Sequence, residues 1–497
     1  MMKLLSKKGA IALNILVLGV VMEGVSAADK TMAGVPPGSD TVSVKKFGAK
    51  GDNIQNDSAA FQTAIIYASK NRKVLFVPKG VYRVNNLLLY PNISIVGERS
   101  NSVLTLTNGA QSNRQCLLLT GISQNIQLKN IVLDANGRNN SGKNIFCVKT
   151  SLNQKEIVNN LTFINCRFTD SKDYGALFLI GPAGHITNVK VAYCTFYNTG
   201  SSAVSIRGIN GLTFNYNQVS AWSQLDKSHP AVSFQSDQCS NVVFVHNYFK
   251  NKDAGYFAVE VAGTKLINGR FMDNTFDGNG YDASGISGMF NNCLFKNNKH
   301  LNGAGSHRSG YELVGDYDTI ADNTIVGGSI SLGAGVPQLA FSKGGSAYIV
   351  TGNKVSSNAG VNNLCLDVGG VDTVKGAFIE NNVFDNRGGK GNAPVIQIGK
   401  RGPAANVTIQ NNQLYGSTTN PCIRMSVAAG NHFARKVSIR KNVLNGKSGI
   451  QIDEMPVWKE VEISDNDFTG ISGSAFLKSN DFSHDFHIER NKVAAGH

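Results

Sequence analysis

Two glutamates set the chemical question. Glu260 and Glu312 each sit inside a short run of alternating apolar and polar residues, around Val259–Val261 and Tyr311–Leu313. An acid and a carboxylate about 6.5 to 9.5 Å apart, with room for a water, are what inverting hydrolysis of a glycosidic bond requires. Asp282 and His307 precede neighbouring runs and could act as further acid or base, as a lyase needs beside a uronate carboxylate. Arg207, His229, Tyr256, Arg308, Tyr311, Asp367 and Arg424 lie in or just before equivalent runs. They offer cations, rings and hydroxyls suited to holding an anionic sugar. Residues so far apart in sequence can share a substrate only if the chain returns on itself at a regular interval.

It does. The phrase apolar-x-apolar-x-x-Asn-x-apolar recurs thirteen times between Leu161 and Val493, with VTIQNNQL at Val407–Leu414 as its clean form. Its sixth place holds Cys166, Cys194, Asn217, Asn247, Asn274, Cys293, Asn323, Asn353, Asn382, Asn412, Asn442, Asn466 and Asn491, at intervals of 19 to 30 residues. Repeats of that length are the mark of a solenoid. Period-two alternation inside each phrase is strand logic. Asn tolerates the left-handed backbone of a bend, and stacked Asn side chains can bond from one coil to the next.

A third alternating run follows about ten residues on, as in SAVSIRG at Ser202 and PVIQIGK at Pro394. Three short strands and three bends per turn predict an all-β, single-stranded right-handed parallel β-helix. No stretch between phrases shows the 3.6-residue period of a crossover helix. Outward side chains on one face then stack about 4.8 Å apart. Aligning the third runs by inward pairs such as Val204/Ile206, Tyr311/Leu313 and Leu364/Leu366 predicts two outward columns. The first holds Phe178, Ser205, Ser233, Glu260, Ser287, Glu312, Ser331, Cys365, Gln397, Arg424 and Gln451. The second holds Arg207, Gln235, Ala262, Met289, Asp367 and Asp453, among others. Glu260 and Glu312 fall two coils apart, roughly 9 to 10 Å at the backbone.

The chain opens with Lys3, Lys7 and Lys8, an apolar run from Ala10 to Val21, and the small-residue site Val25-Ser26-Ala27. Residues 1–27 read as an export signal, and 28–40 as a flexible lead. The body, 41–497, reads as one domain with its cap in 41–90. Asp57 is placed to N-cap a helix whose stripe is Phe61, Ala64, Ile65 and Ala68. That helix can plug the first coil, whose open strand edges would otherwise invite aggregation.

Three strings here are more specific: Phe47-Gly48-Ala49-Lys50-Gly51-Asp52, Asp57-Ser58-Ala59-Ala60-Phe61-Gln62 and Val77-Pro78-Lys79-Gly80-Val81-Tyr82. They resemble the N-terminal cap of the pectate lyase superfamily, rhamnogalacturonase- and epimerase-like branch. The resemblance implies a β-helix that acts on a polysaccharide by lysis, hydrolysis or uronate epimerisation. The catalytic strings of polygalacturonases, alginate epimerases and calcium-dependent pectate lyases do not occur, so it implies no one reaction.

The formal net charge of +14 falls to about +12 once residues 1–27, with three Lys and one Glu, are set aside. A basic surplus in an exported protein, secreted or periplasmic, points to an acidic polysaccharide as partner. Basic residues are scattered and no nucleic-acid-binding signature appears. No second long apolar run predicts stable membrane insertion. The eight Cys match no zinc or disulfide spacing, which leaves buried thiols as the expectation. No dense Asp cluster supports calcium, and no metal or other cofactor is predicted. The chain would act as a monomer or trimer. A non-catalytic polysaccharide-binding β-helix is the alternative to an enzyme.

Overall fold

The computed structural model describes residues 40–497 except 173, 251–255, 281–284, 304–309, 334–344, 358–363, 370–372, 390–392, 401, 427–433, 454–457, 479–484 and 495–497. The predicted signal and nearly all of the predicted lead lie outside the described residues, as do Asp282, His307 and Arg308.

The chain winds into a right-handed parallel β-solenoid of about 14 turns. One turn shows the pattern. Val204–Arg207 forms the first face, Ile209–Asn215 the second and Gln218–Ser220 the third. Each strand pairs in parallel with its counterpart about one repeat later: Ser205 with Ser233, Thr213 with Val243, Val219 with Phe249. Inward residues of all three faces form one continuous core, from Val42 and Val44 in the cap to Phe468 and Ile471. Phenylalanines stack within it, Phe168 on Phe196 at 4.6 Å and Phe271 on Phe295 at 5.2 Å.

The bend between second and third faces carries the predicted ladder. Asn382 Oδ1 accepts from the Asn353 backbone N–H and side-chain amide, each at 2.9 Å, and its own amide donates to Asn412 Oδ1 at 2.9 Å and to the Val350 carbonyl at 2.9 Å. The same arrangement runs from Asn217 to Asn491. Left-handed residues precede it, among them Asn381, Asn411 and Asp465. So the repeated Asn satisfies polar groups that the bend would otherwise bury unpaired.

One rung differs from expectation. Asn298, not Cys293, joins Asn274 to Asn323, with amide-to-oxygen distances of 3.0 and 3.1 Å. The phrase in that coil is therefore CLFKNNKH, starting at Cys293. Cys293 itself points into the second-face core, where its N–H donates to Asp318 Oδ1 at 2.9 Å. The eight cysteines are free thiols and buried.

The one helix of the described residues, α1 (Ser58–Lys70), buries Phe61, Ala64, Ile65 and Ala68 against the first coils. Gln62 bonds both the N–H and the carbonyl of Leu88, at 2.9 and 3.1 Å. It thereby satisfies edge-strand groups that a bare end would expose. Asp57 occupies the N-cap position without capping the helix through its side chain. Its carboxylate instead accepts from Lys50 and Gly51 N–H at 2.7 and 3.1 Å, tying down the preceding loop.

Candidate active site

The first-face strands place the candidate residues. Their register runs Phe178, Ser205, Ser233, Glu260, Ser287, Glu312, Ser331, Asp367, Gln397, Arg424 and Gln451, each paired with the next. Glu260 and Glu312 thus share one column two coils apart, roughly 10 Å at the backbone. The column differs from expectation at one coil. Leu366 and Val368 point inward and Cys365 is buried, so Asp367 takes the outward place assigned to Cys365. The pattern misled because Leu364, Leu366 and Val368 are all apolar, so a shift of two residues preserves the alternation. Three carboxylates therefore stand in one line at every second coil, with Ser287 and Ser331 between them.

The column is a floor, not a bare surface. Ser205, Ser233, Ser287, Ser331, Asp367 and Gln397 face outward from the sheet yet are all buried. Burial, and after it the charge of Glu312, pushes the Glu260 carboxyl up to about 7. The Ser287 hydroxyl donates to Glu312 Oε2 at 3.1 Å, which suits a carboxylate acting as acceptor.

The corner between first and second faces changes character at these coils. Val259–Ile267, Ile286–Asn291 and Tyr311–Asp316 each run on as one strand across the corner. Two glycines permit this. A Cβ on Gly288 would meet the Val261 carbonyl oxygen at 2.3 Å, and one on Gly315 the Phe290 oxygen at 1.6 Å. Three and four coils before Glu260, segments 181–185 and 151–156 stand at this corner instead. A cleft of about 620 Å³ opens between them, lined by Asn153, Pro182, His185, Arg207 and Asp237.

Arg207 lines that cleft and pairs with Asp237 at 2.5 Å. Arg424 lies at the other end of the column, donating to Gln451 at 2.9 Å and standing 3.7 Å from Asp453. Cations therefore flank an acidic centre on both sides. His229 and Tyr256 lie in the connections that lead into the Ser233 and Glu260 strands. The His229 ring meets Asp226 at 3.1 Å, and Tyr256 packs edge-on against Phe257 at 4.7 Å. The expectation for Tyr311 as a sugar-binding residue is corrected. Its ring points inward, is fully buried, and its hydroxyl donates to Asn323 of the ladder at 3.0 Å. That inward place follows from alternation: Tyr311 and Leu313 share one side of the strand, Glu312 the other. Sequence reading missed His185 and Asp237. The one available signal was the extra length of the connections that carry them.

Among the described residues no group of three or more His, Cys, Asp or Glu could hold a metal ion. None of their helices is long and apolar enough to cross a membrane.

Comparison with known proteins adds the following. Residues 41–118 match the family model described as rhamnogalacturonase A/epimerase, pectate lyase-like. A glucan 1,3-beta-glucosidase of Cochliobolus carbonum is 37% identical over 78 residues, 15% of this chain and 10% of that protein. The chain thus spans about a tenth of the curated relative it matches. Among solved structures, the A-module of the Azotobacter vinelandii mannuronan C-5 epimerase AlgE4 is 15% identical, with 90% of this chain and 100% of that one covered and a TM-score of 0.40. A GH87 alpha-1,3-glucanase of Streptomyces thermodiastaticus is 15% identical, at 94% and 70% coverage and a TM-score of 0.40. The Streptococcus pneumoniae surface adhesin PfbA is 15% identical, at 88% and 92% coverage and a TM-score of 0.37. The chain is thus a parallel β-helix protein whose N-terminal residues 41–118 are pectate-lyase-like.

Proposed function

We propose that the chain is an exported glycoside hydrolase that cleaves a polysaccharide lying along the first face. The observation that carries this is the pairing of half-buried Glu260 and Glu312 in one column, with Glu260 held near 7 and Glu312 bonded by Ser287. In this reading Glu260 gives its proton to the glycosidic oxygen as the C1–O bond breaks. Glu312 takes a proton from the water that attacks C1 on the opposite face, so configuration inverts. The two-coil separation leaves space for that water. Asp367, two coils beyond Glu312, bonds sugar hydroxyls next to the cleaved residue.

The basic surplus and the flanking Arg207 and Arg424 favour an acidic polymer whose carboxylates lie on either side of the centre. His229 and Tyr256 contact sugars from the connections above; Asp282, His307 and Arg308 precede the Ser287 and Glu312 strands in the sequence. A non-catalytic binder would keep binding but need neither carboxylate.

The test is a screen of anionic polysaccharides for new reducing ends, with proton NMR of the first-formed anomer. Glu260→Gln and Glu312→Gln should each abolish most turnover while leaving binding intact. Full turnover in both variants would remove this site, and products absorbing as unsaturated uronates would replace hydrolysis with elimination.

A further inference from the structure

A second column of asparagines runs along the outside of the solenoid, at a left-handed position near the start of the second face. Asn160 donates to Asn125 at 2.9 Å, Asn268 to Asn241 at 3.3 Å and Asn292 to Asn268 at 2.8 Å. The next three coils break the pattern with Tyr317, Ala347 and Gly376, and Asn406 restores it. Where Ala347 and Gly376 stand in for the larger side chain, a cleft of about 400 Å³ opens, walled by Tyr317, Ile349, Phe378 and Asn406. Tyr317 is 67% exposed, Ile349 42% and Phe378 36%. Met272, Leu294 and Ala321 continue this apolar surface toward the N-terminus, whereas the coils on the other side turn Thr408, Gln410, Ser438 and Arg440 outward. A contiguous apolar patch on an exposed sheet marks an interaction surface.

The strand registers say what fits it. Coil by coil, the outward pairs are Arg270/Met272, Leu294/Lys296, Thr319/Ala321, Ile349/Thr351, Phe378/Glu380 and Thr408/Gln410. Lay a second copy face to face, axis antiparallel and strands aligned, with the two-fold between the Thr319 and Ile349 coils. Tyr317 then falls over Ala347 of the second copy, so a protruding ring enters a notch, twice. Leu294 meets Phe378, and Lys296 meets Glu380, again twice. No like charges oppose one another across the six coils. Lys296 lies 3.7 Å from Asp322 of its own chain, and Glu380 accepts from the Gln410 amide at 3.1 Å, so both keep their charge for the contact. Parallel axes would instead set Tyr317 against the Asp322 bend and Phe378 against Glu380, filling no notch and pairing no charge. In place of the monomer or trimer expected from the sequence, we infer that this face joins two copies of the chain in an antiparallel dimer. The footprint, about 24 Å along the axis by about 17 Å across, is small, so affinity should be micromolar. The first face and its carboxylates lie outside the contact, so the dimer does not rest on the reaction proposed above.

Sedimentation equilibrium of the full chain from about 1 to about 200 µM should show monomer and dimer in exchange, with a micromolar Kd. Ala347→Asn installs the residue that other coils carry at this left-handed position, so it should fold as the parent does. By filling the notch it should weaken the dimer at least about tenfold, as should Tyr317→Ala by removing the ring. Lys296→Glu sets a carboxylate against Glu380 of the other copy and should weaken the dimer about fivefold or more. Combining it with Glu380→Lys should bring the affinity back to within about threefold of the parent, a rescue that an unspecific apolar contact would not give. A parent still monomeric at about 200 µM, which would leave the notch to another partner, would overturn the inference. So would a trimer, a dimer indifferent to Ala347→Asn, or a double reversal that fails to recover. Mass is read here and not turnover, so loss of the reaction proposed for Glu260 leaves this result intact.

Discussion

Glu260 meets two pressures against ionisation, a buried setting and a charged neighbour two coils away, and each can be removed on its own. As a proton donor it must be protonated, so turnover should fall as pH rises through about 7, read from the basic limb of a kcat/KM profile. Glu260→Gln should lower kcat by roughly 10² to 10⁴ and abolish that limb. The same residue affects stability. Its folded carboxyl holds a proton more tightly than the unfolded chain does, so the unfolded state binds fewer protons between about 4.5 and 7. Native stability should therefore decline with rising pH across that window, by roughly 3 kcal/mol for this group, and level off above it. Asp318 adds in the same direction, because burial pushes its carboxyl well above the usual range. Chemical denaturation at pH 5 and pH 8 checks the sign, and a flat or rising curve would contradict it.

Strands and bends decide whether these residues meet at all. Gly315 lets one strand cross the corner that brings Glu312 to the floor, and any side chain there strikes the Phe290 carbonyl. Gly315→Ala should cost several kcal/mol by forcing backbone apart, and should lower activity in whatever fraction still folds, as thermal melts and turnover per folded molecule would show. Asn382→Ala removes amide bonds to Val350 and Asn412 and strands the Asn353 N–H, which should cost about 2 to 4 kcal/mol in denaturant titrations. These features also show how far the residues alone could lead. The Asn phrase and its period were plain because one bend chemistry repeats at nearly every turn. Register slipped where two placements obey the same alternation. In GMFNNCLFKNN two five-residue-offset windows both read as the phrase, and only cross-strand bonding chooses Asn298 over Cys293. The place given to Cys365 belongs to Asp367 for a similar reason, since Leu364, Leu366 and Val368 are all apolar and a two-residue shift keeps the alternation. Glu260, Ser287 and Glu312 were legible because Val259/Val261 and Tyr311/Leu313 leave no second frame. Walls and clefts were not, because loop conformation follows no period.

For the whole molecule, one core without internal boundaries makes the cap a shared asset. Phe61 packs edge-on against Tyr82 at 5.1 Å and is fully buried. Phe61→Ala should cost about 3 to 5 kcal/mol and, by loosening the plug on the first coil, raise aggregation seen by light scattering near the melting temperature. The buried thiols carry a different consequence. Cys116, Cys147, Cys166, Cys194, Cys239, Cys293, Cys365 and Cys422 are spread along nearly the entire axis, each sealed from solvent and none cross-linked. They form a ready-made set of clocks. Pulsed alkylation with peptide mapping would time when each level of the stack breathes open, and would reveal whether unravelling starts at the plugged end, the far end or the middle.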